Sequence, residues 1–347
     1  MENHEKYIQR CFDIARSGLG KVSPNPLVGC VIVWNEKIIG EGYHGVYGGP
    51  HAEVNAVQSV KDPSKLKEST LYVNLEPCCH QGKTPACTEL ILKHKIPRVV
   101  ISTIDVNPEV NGRGIQGLKR AGVEVLSGIL EEEGKELNLR FFTFHKQHRP
   151  YIILKWAQTL DGFIDVDRTD PDTPIKWISN DKMKLMVHKW RCEEDAIIVG
   201  FTTALNDNPQ LNIREWYGRN PLRLVLDENL TLPKTHHLLD RQQPTVIFTS
   251  KEAPSEPNLE FITLDFKSNI IAQINNVLYN RGIGSLIVEG GRELLDTYLE
   301  YHCWDEARVI EGNQYFGKGL KGPDFKGTLV SSAMAGSDRL LLFKNRE

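Results

Sequence analysis

The chain has 347 residues, 42 Lys and Arg against 45 Asp and Glu, and a formal net charge of -3, so no global basic field favours nucleic acid. Its length exceeds one ordinary domain, and two are expected. Hydrophobic residues at 40% and charged residues at 25% are typical of a soluble globular enzyme. Seven scattered cysteines outline no disulfide framework, which fits a reducing cytoplasm. The polar start M-E-N-H-E-K-Y has no signal-peptide core, and no apolar run approaches a membrane span.

In chain order, Glu5–Ser17 has apolar residues at helical spacing. V-G-C-V-I-V, W-N-E-K and I-I-G-E-G-Y read as a β-hairpin. Helix and strand then alternate: A-E-V-N-A-V-Q-S-V, T-L-Y-V-N-L, T-E-L-I-L-K-H, R-V-V-I-S-T-I, I-Q-G-L-K-R and V-E-V-L, the pattern of a helix-covered mixed sheet. Glu131–Gln147 reads as one helix, stopped by His148–Arg149–Pro150, where proline blocks continuation. The domain boundary is placed there, giving 1–148 and 149–347. Phe141, Phe142 and Phe144 are expected to pack against a domain. The second half restarts with the strand Y-I-I-L-K-W-A and the helix D-K-M-K-L-M-V-H-K-W-R-C. Strands follow at A-I-I-V-G, L-R-L-V-L-D, T-V-I-F-T and S-L-I-V-E, with helices at Ile270–Tyr279 and Arg292–Tyr301. A-R-V-I-E-G and R-L-L-L-F read as terminal strands of this second α/β domain.

Two motifs in the first half carry chemistry: His51–Ala52–Glu53, and E-P-C-C-H-Q-G-K-T-P-A-C from Glu76 to Cys87. Structural zinc sites are closed by four protein ligands, whereas catalytic ones keep a position for water. His51, Cys78 and Cys87 supply three ligands, and Glu53 is the group free to move protons. That is the layout of a zinc deaminase of bases or nucleotides. Both ligand groups open helices, where thiolates are stabilised. The competing reading is a closed structural site with Cys79 or His80 as fourth ligand, in which Glu53 has no task. Eight residues separate Cys78 from Cys87, where the usual deaminase pattern is P-C-x-x-C.

The second half has no G-x-G-x-x-G after its first strand, so the ordinary dinucleotide fingerprint is absent. Instead a buried strand ends in Glu289–Gly290–Gly291 and a helix begins at once. Such a turn brings backbone N–H groups to a phosphate at a helix N-terminus. Alone, it is more often a tight connection.

From end to end the chain resembles the bifunctional riboflavin-biosynthesis deaminase/reductase family. In the first half the resemblance rests on Ser23–Val33, Gly48–Ala56, Glu76–Cys87 and Ile104–Ile115. In the second it rests on Arg149–Gly162, Lys176–Ser179, Trp190–Gly200 and Thr203–Arg214. It implies a cytidine-deaminase-like domain followed by a dihydrofolate-reductase-like domain that uses NADPH. It further implies that Asn25, His44, Lys83 and Asn107 contact a phosphoribosyl pyrimidine, a small-molecule substrate. Ala157, Trp177, Thr203 and Asp207 are implied as cofactor neighbours. Gly291, Arg292, Glu293, Leu294, Leu295, Asp296 and Thr297 are implied as the turn and helix start that hold the cofactor phosphates. Arg191, Leu211, Arg214 and Glu289 are implied as substrate contacts; arginine forks suit a ribose 5-phosphate. Lys155 and Asp207 are the candidates for polarising the ribose carbonyl and managing its proton. Without the resemblance, Arg191 reads as an exposed helix charge and Asp207 as a turn cap. A homo-oligomer is implied by the resemblance alone.

Three departures from the family pattern stand out. Ala86 replaces a usual proline, Cys79 a common serine, and Ile175 a serine that touches substrate, beside an insertion at Asp170–Pro174. The alternatives left open are a deaminase whose reductase domain binds nucleotide without turnover, a zinc-stabilised binding protein, and a deaminase of free or polymeric nucleobases. NADPH and NADH are not distinguished; Arg292 is a candidate contact for a ribose 2′-phosphate.

Overall fold

The computed structural model describes residues 4–79, 86–168 and 175–345. The chain divides into two compact units, Met1–His148 and Arg149–Glu347. Among the described residues, no helix is long and apolar enough to cross a membrane.

The first unit contains α1 (His4–Ala15), β1 (Gly29–Trp34), β2 (Lys37–Tyr43), α2 (Ala52–Ser59), β3 (Thr70–Leu75), α3 (Cys87–Lys93), β4 (Arg98–Thr103), α4 (Arg113–Arg120), β5 (Glu124–Ser127), α5 (Glu131–Leu137) and α6 (Leu139–Gln147). Its strands lie in the order β2-β1-β3-β4-β5. The first two pairings are antiparallel and the last two parallel. Successive strand residues point to opposite faces. Ile32, Leu71, Val73, Val99 and Ile101 pack with Ala56 of α2, Ile91 of α3 and Leu118 of α4. Val31, Val33, Tyr72 and Val100 pack on the other face with Ile8, Cys11 and Phe12 of α1. Each fully buried Leu or Ile contributes about 1.5–3 kcal/mol. The two helix layers therefore fix which strand ends face the site.

One expectation needs correction here. Glu131–Gln147 is two helices, broken at Asn138, whose backbone leaves helical geometry (φ -111°, ψ 25°). The Asn138 amide accepts from Leu27 N (2.8 Å) and donates to Leu27 O (3.0 Å). A buried backbone segment must have both polar groups satisfied, and this side chain satisfies them. Phe141 and Phe142 of α6 are buried against Leu75 of the same unit.

The second unit runs β6 (Tyr151–Thr159), β7 (Phe163–Asp165), α7 (Asp181–Glu193), β8 (Ala196–Val199), α8 (Phe201–Asp207), β9 (Leu222–Leu226), β10 (Thr245–Thr249), β11 (Leu259–Thr263), α9 (Ile270–Asn280), β12 (Ser285–Glu289), α10 (Arg292–Glu300), β13 (Glu306–Gly312), β14 (Leu320–Lys321), β15 (Thr328–Ala335) and β16 (Asp338–Lys344). Among the described residues its large sheet has the order β11-β10-β9-β8-β12-β6-β13-β16-β15. It is parallel up to β13 and closes with two antiparallel pairings. Leu286 and Val288 of β12 join the core under α9 and α10, and Ile287 joins the one under α7 and α8. Burial on both faces explains the unbroken apolar runs that mark these strands in sequence. α8, β7, β11, β14 and β15 are elements the sequence reading did not place.

Candidate active sites

In the first unit, the zinc-motif residues meet where β3 ends and two helices begin. His51 stands at the N-cap of α2, Cys87 is the first residue of α3, and Cys78 follows β3 by three residues. Their ligand atoms all lie within 4.8 Å of one another. His51 Nδ1 is 3.3 Å from Cys87 Sγ and 3.5 Å from Cys78 Sγ. A tetrahedron with zinc–sulfur bonds of about 2.3 Å and a zinc–nitrogen bond of about 2.0–2.1 Å has edges of about 3.5–3.8 Å, so the donor set fits zinc. Cys79 turns its thiol toward the Glu109 carbonyl (3.7 Å) and is not in the cluster. Among the described residues three ligands converge, as an open site requires. His80 and Lys83 lie outside the described residues.

The electrostatics of the cluster follow from burial and thiol hydrogen bonding. A hydrogen bond from the Cys87 thiol, against the effect of burial and with help from His51 and the Cys87 N–H, lowers Cys78 to about 4. Cys87, the donor, is raised. Glu53, on the first turn of α2 and 3% exposed, is raised to about 7 by burial first and by the neighbouring Cys78 charge second. A carboxyl in that range exchanges protons near neutral pH.

A cleft of about 370 Å³ opens on the cluster. His51, Glu53 and Cys78 line it together with Asn25, His44 and Asn107. Asn25 Nδ2 lies 3.1 Å from His44 Nε2, and His44 Nδ1 lies 3.0 Å from the Pro50 carbonyl. Burial lowers the His44 pKa, which favours the neutral ring with Nδ1–H donating to Pro50. The cleft also has walls that sequence reasoning passed over: Tyr47, Glu76, Asp105, Phe141, Phe144 and His145. Glu76 opens the E-P-C-C-H-Q-G-K-T-P-A-C motif; the aromatic wall has no sequence signal beyond its apolar spacing.

In the second unit one partly buried carboxylate, 13% exposed, collects two cations. Glu289, at the end of β12, accepts from Lys155 Nζ (2.6 Å) and Arg191 Nη2 (2.8 Å). Burial alone raises its pKa, but the charges of Arg191 and then Lys155 outweigh it and hold Glu289 at about 2. Arg191 is thus not an exposed helix charge: 12% of its side chain is exposed, and it also donates to the Asn212 carbonyl. His188, on the same helix, accepts from Arg214 N and contacts the Asn212 carbonyl. So β6, α7 and β12 bring together Lys155, Arg191, Glu289 and the segment carrying Leu211 and Arg214. Leu211 is buried, and the Arg214 guanidinium meets Gln210 and Asn212.

A second grouping forms at the glycine turn. Gly290 and Gly291 have φ of +89° and +78°. A Cβ on Gly290 would lie 2.8 Å from Thr203 Cγ2, and one on Gly291 3.0 Å from Thr203 Oγ1. Left-handed backbone and close approach both demand glycine here. Leu294 and Leu295 spend their side chains on the core, and Thr297 Oγ1 donates to the Glu293 carbonyl. Arg292 bonds Asp296 and the carbonyls of Lys321 and Gly322. Ala157 packs at the edge of the core under α7, and Trp177 is 66% exposed beneath Lys184. Asp207 pairs with Arg168 (2.6 Å), a residue the sequence reading did not single out. Ile175 is 43% exposed. Residues 170–174 lie outside the described residues.

A zinc-ligand cleft in a cytidine-deaminase-like unit, followed by a dihydrofolate-reductase-like unit, defines a two-domain deaminase/reductase. Family models agree with both halves: the cytidine and deoxycytidylate deaminase zinc-binding region matches residues 1–103, and the RibD C-terminal domain matches residues 150–335. The chain is 38% identical to the riboflavin biosynthesis protein RibD of Aquifex aeolicus, over 92% of this chain and 89% of that protein. It is equally identical to its namesake from Bacillus amyloliquefaciens, over 96% and 88%. Its structure is similar to that of the diaminohydroxyphosphoribosylaminopyrimidine deaminase/5-amino-6-(5-phosphoribosylamino)uracil reductase of Thermotoga maritima, with a TM-score of 0.89, 38% identity and 98% of each chain covered. The RibD structure from Acinetobacter baumannii gives 0.89 at 29% identity, with 99% of each chain covered. This chain belongs to the bifunctional RibD family of riboflavin-biosynthesis enzymes. Both activities are represented, and nothing favours a deaminase alone.

Proposed function

We propose that residues 1–148 remove the 2-amino group of 2,5-diamino-6-(5-phosphoribosylamino)pyrimidin-4(3H)-one by hydrolysis. Residues 149–347 then reduce the ribosyl side chain with NADPH to give 5-amino-6-(5-phosphoribitylamino)uracil. The observation that carries the first half is the convergence of His51, Cys78 and Cys87 beside buried Glu53 in one cleft. Bound by those three residues, zinc supplies the Lewis acidity that makes water nucleophilic near neutral pH. Glu53 accepts the first water proton and delivers it to the ring nitrogen. It then takes the proton of the new C2 hydroxyl and delivers it to the amino group, which leaves as ammonia as the C2 carbonyl forms. Asn25, His44 and Asn107 orient the pyrimidine and its phosphoribosyl tail, and Lys83 belongs with them by the resemblance.

In the second half NADPH supplies the hydride. The Gly290–Gly291 turn and the start of α10 receive its phosphates, with Thr203 packed against the turn and Ala157, Trp177 and Asp207 as further neighbours. Lys155 polarises the ribose carbonyl while Glu289 fixes its position, and Asp207 manages the proton. Arg191 and Arg214 bind the 5-phosphate. A homo-oligomer in the cytoplasm belongs to the same reading and is checked by light scattering.

The test is mass spectrometry of the diaminopyrimidinone substrate after incubation with zinc-loaded protein, with and without NADPH. Deaminated product without NADPH, and deaminated plus reduced product with it, is the expected outcome. Unchanged substrate in both tubes, with zinc bound, overturns the reading.

A further inference from the structure

The cleft of the first unit is lined by three buried carboxylates, Glu53, Glu76 and Asp105, and only Glu53 is placed as a proton carrier. Glu76 is 3% exposed and lines the same cleft as Glu53. Its oxygens are spent on backbone. Oε2 accepts from Asp105 N (3.3 Å) and Gly112 N (2.8 Å), and Oε1 accepts from Ile115 N (3.1 Å). One side chain thus ties down both ends of the loop 105–112 and the first turn of α4.

Between those anchors the loop folds on itself. Asp105 Oδ1 accepts from Asn107 N (2.7 Å), and Asn107 Oδ1 accepts from Glu109 N (3.1 Å). Asp105, Asn107 and Val110 are the loop residues that line the cleft. Gly114 makes the anchor possible: a Cβ there would lie 2.3 Å from the Pro77 carbonyl and 3.1 Å from Glu76 Oε1. Because Glu76 lies two residues before Cys78, the strand end that delivers a zinc-site thiol also sets the height of the loop that carries Asn107.

We propose that Glu76 is a positioning residue for substrate binding in the deaminase site, acting through the loop 105–112 and Asn107 rather than on the reacting atoms. The proposal rests on the deaminase reading above. Its physical basis is that three backbone donors converge on one carboxylate. An amide at this position replaces one acceptor oxygen with a donor, and each buried N–H left unsatisfied is costly.

The experiment measures deamination and amide hydrogen exchange in zinc-loaded wild type, Glu76→Gln, Asn107→Ala, the double variant and Gly114→Ala. Glu76→Gln is expected to raise KM about tenfold or more, with a smaller change in kcat and zinc retained. The double variant is expected to be no worse than the worse single variant, since both act through one loop. Exchange at Gly112 and Ile115 should accelerate in Glu76→Gln, a readout that needs no substrate. Gly114→Ala, which keeps the carboxylate but pushes the helix start away, should reproduce the KM effect and decides the matter if Glu76→Gln does not fold. A loss confined to kcat, additive effects in the double variant, or unchanged exchange at Gly112 and Ile115 would overturn the proposal. Wild type that does not deaminate the diaminopyrimidinone substrate would instead sink the deaminase reading, while the exchange result still reports on the loop.

Discussion

Glu53 and Glu289 are the same residue type, the first buried and the second 13% exposed, and their environments drive them in opposite directions. Glu53 faces the Cys78 thiolate, and burial together with that charge raises it to about 7 against the opposing effect of His51. Glu289 lies between Arg191 and Lys155, which overcome burial and hold it at about 2. On the proposed reading the first trades protons; the second is a fixed charge that holds two cations in place. Burial alone does not assign a role to a carboxylate. Its charged neighbours do.

The sharpest way to break the comparison is to remove the metal or the proton carrier. Chelation of zinc, or Glu53→Gln with zinc retained, should cut deamination by about a thousandfold or more while NADPH oxidation on the deaminated substrate continues. Parallel ammonia-release and absorbance assays check this, and equal losses in both would refute the division of labour. Next in size, Glu289→Ala leaves two partly buried cations without their anion and should destabilise the second unit by about 3–5 kcal/mol in urea melts.

The pH dependence of that same carboxylate sharpens the contrast. A folded-state pKa depressed from 4.5 to about 2 means that Glu289 stabilises the folded state above its unfolded value. That stability, about 3 kcal/mol, is lost as pH falls from about 4.5 through about 2. Wild type should therefore lose more stability over this window than Glu289→Gln. Parallel slopes in the two proteins would show that the cations do not hold the charge. The smallest effect is expected at the glycine turn. Gly290→Ala combines a left-handed φ with a Cβ 2.8 Å from Thr203, and should cost about 1–3 kcal/mol and weaken NADPH binding. Calorimetric titration with NADPH checks it, and unchanged affinity would detach the turn from the cofactor.

Much was legible in sequence because it is local. Apolar periodicity marks strands buried on both faces, and the motif from Glu76 to Cys87 carries two of the three candidate ligands and the start of the helix that Cys87 opens. The less legible elements depend on distant partners. The break at Asn138 exists because a residue 111 positions away needs its amide, while the local run reads as one helix. β15, T-L-V-S-S-A-M-A, is an almost wholly exposed strand shaped by its pairing with β16. α8 has little helical periodicity of its own and buries Ala204 in the core under α7.

By itself the sequence determined two α/β domains and a strand–Gly-Gly–helix turn and pointed to a candidate three-ligand zinc set with a companion glutamate, because each is written in residues close in the chain. Only the tertiary structure decided what surrounds each charge: that Glu289 gathers Lys155 and Arg191, that Asp207 meets Arg168, and that Glu76 is spent on three backbone amides. Those outcomes depend on which groups folding brings within hydrogen-bond reach, and hydrogen bonds and charges inside a protein act over a few ångströms that sequence distance does not measure.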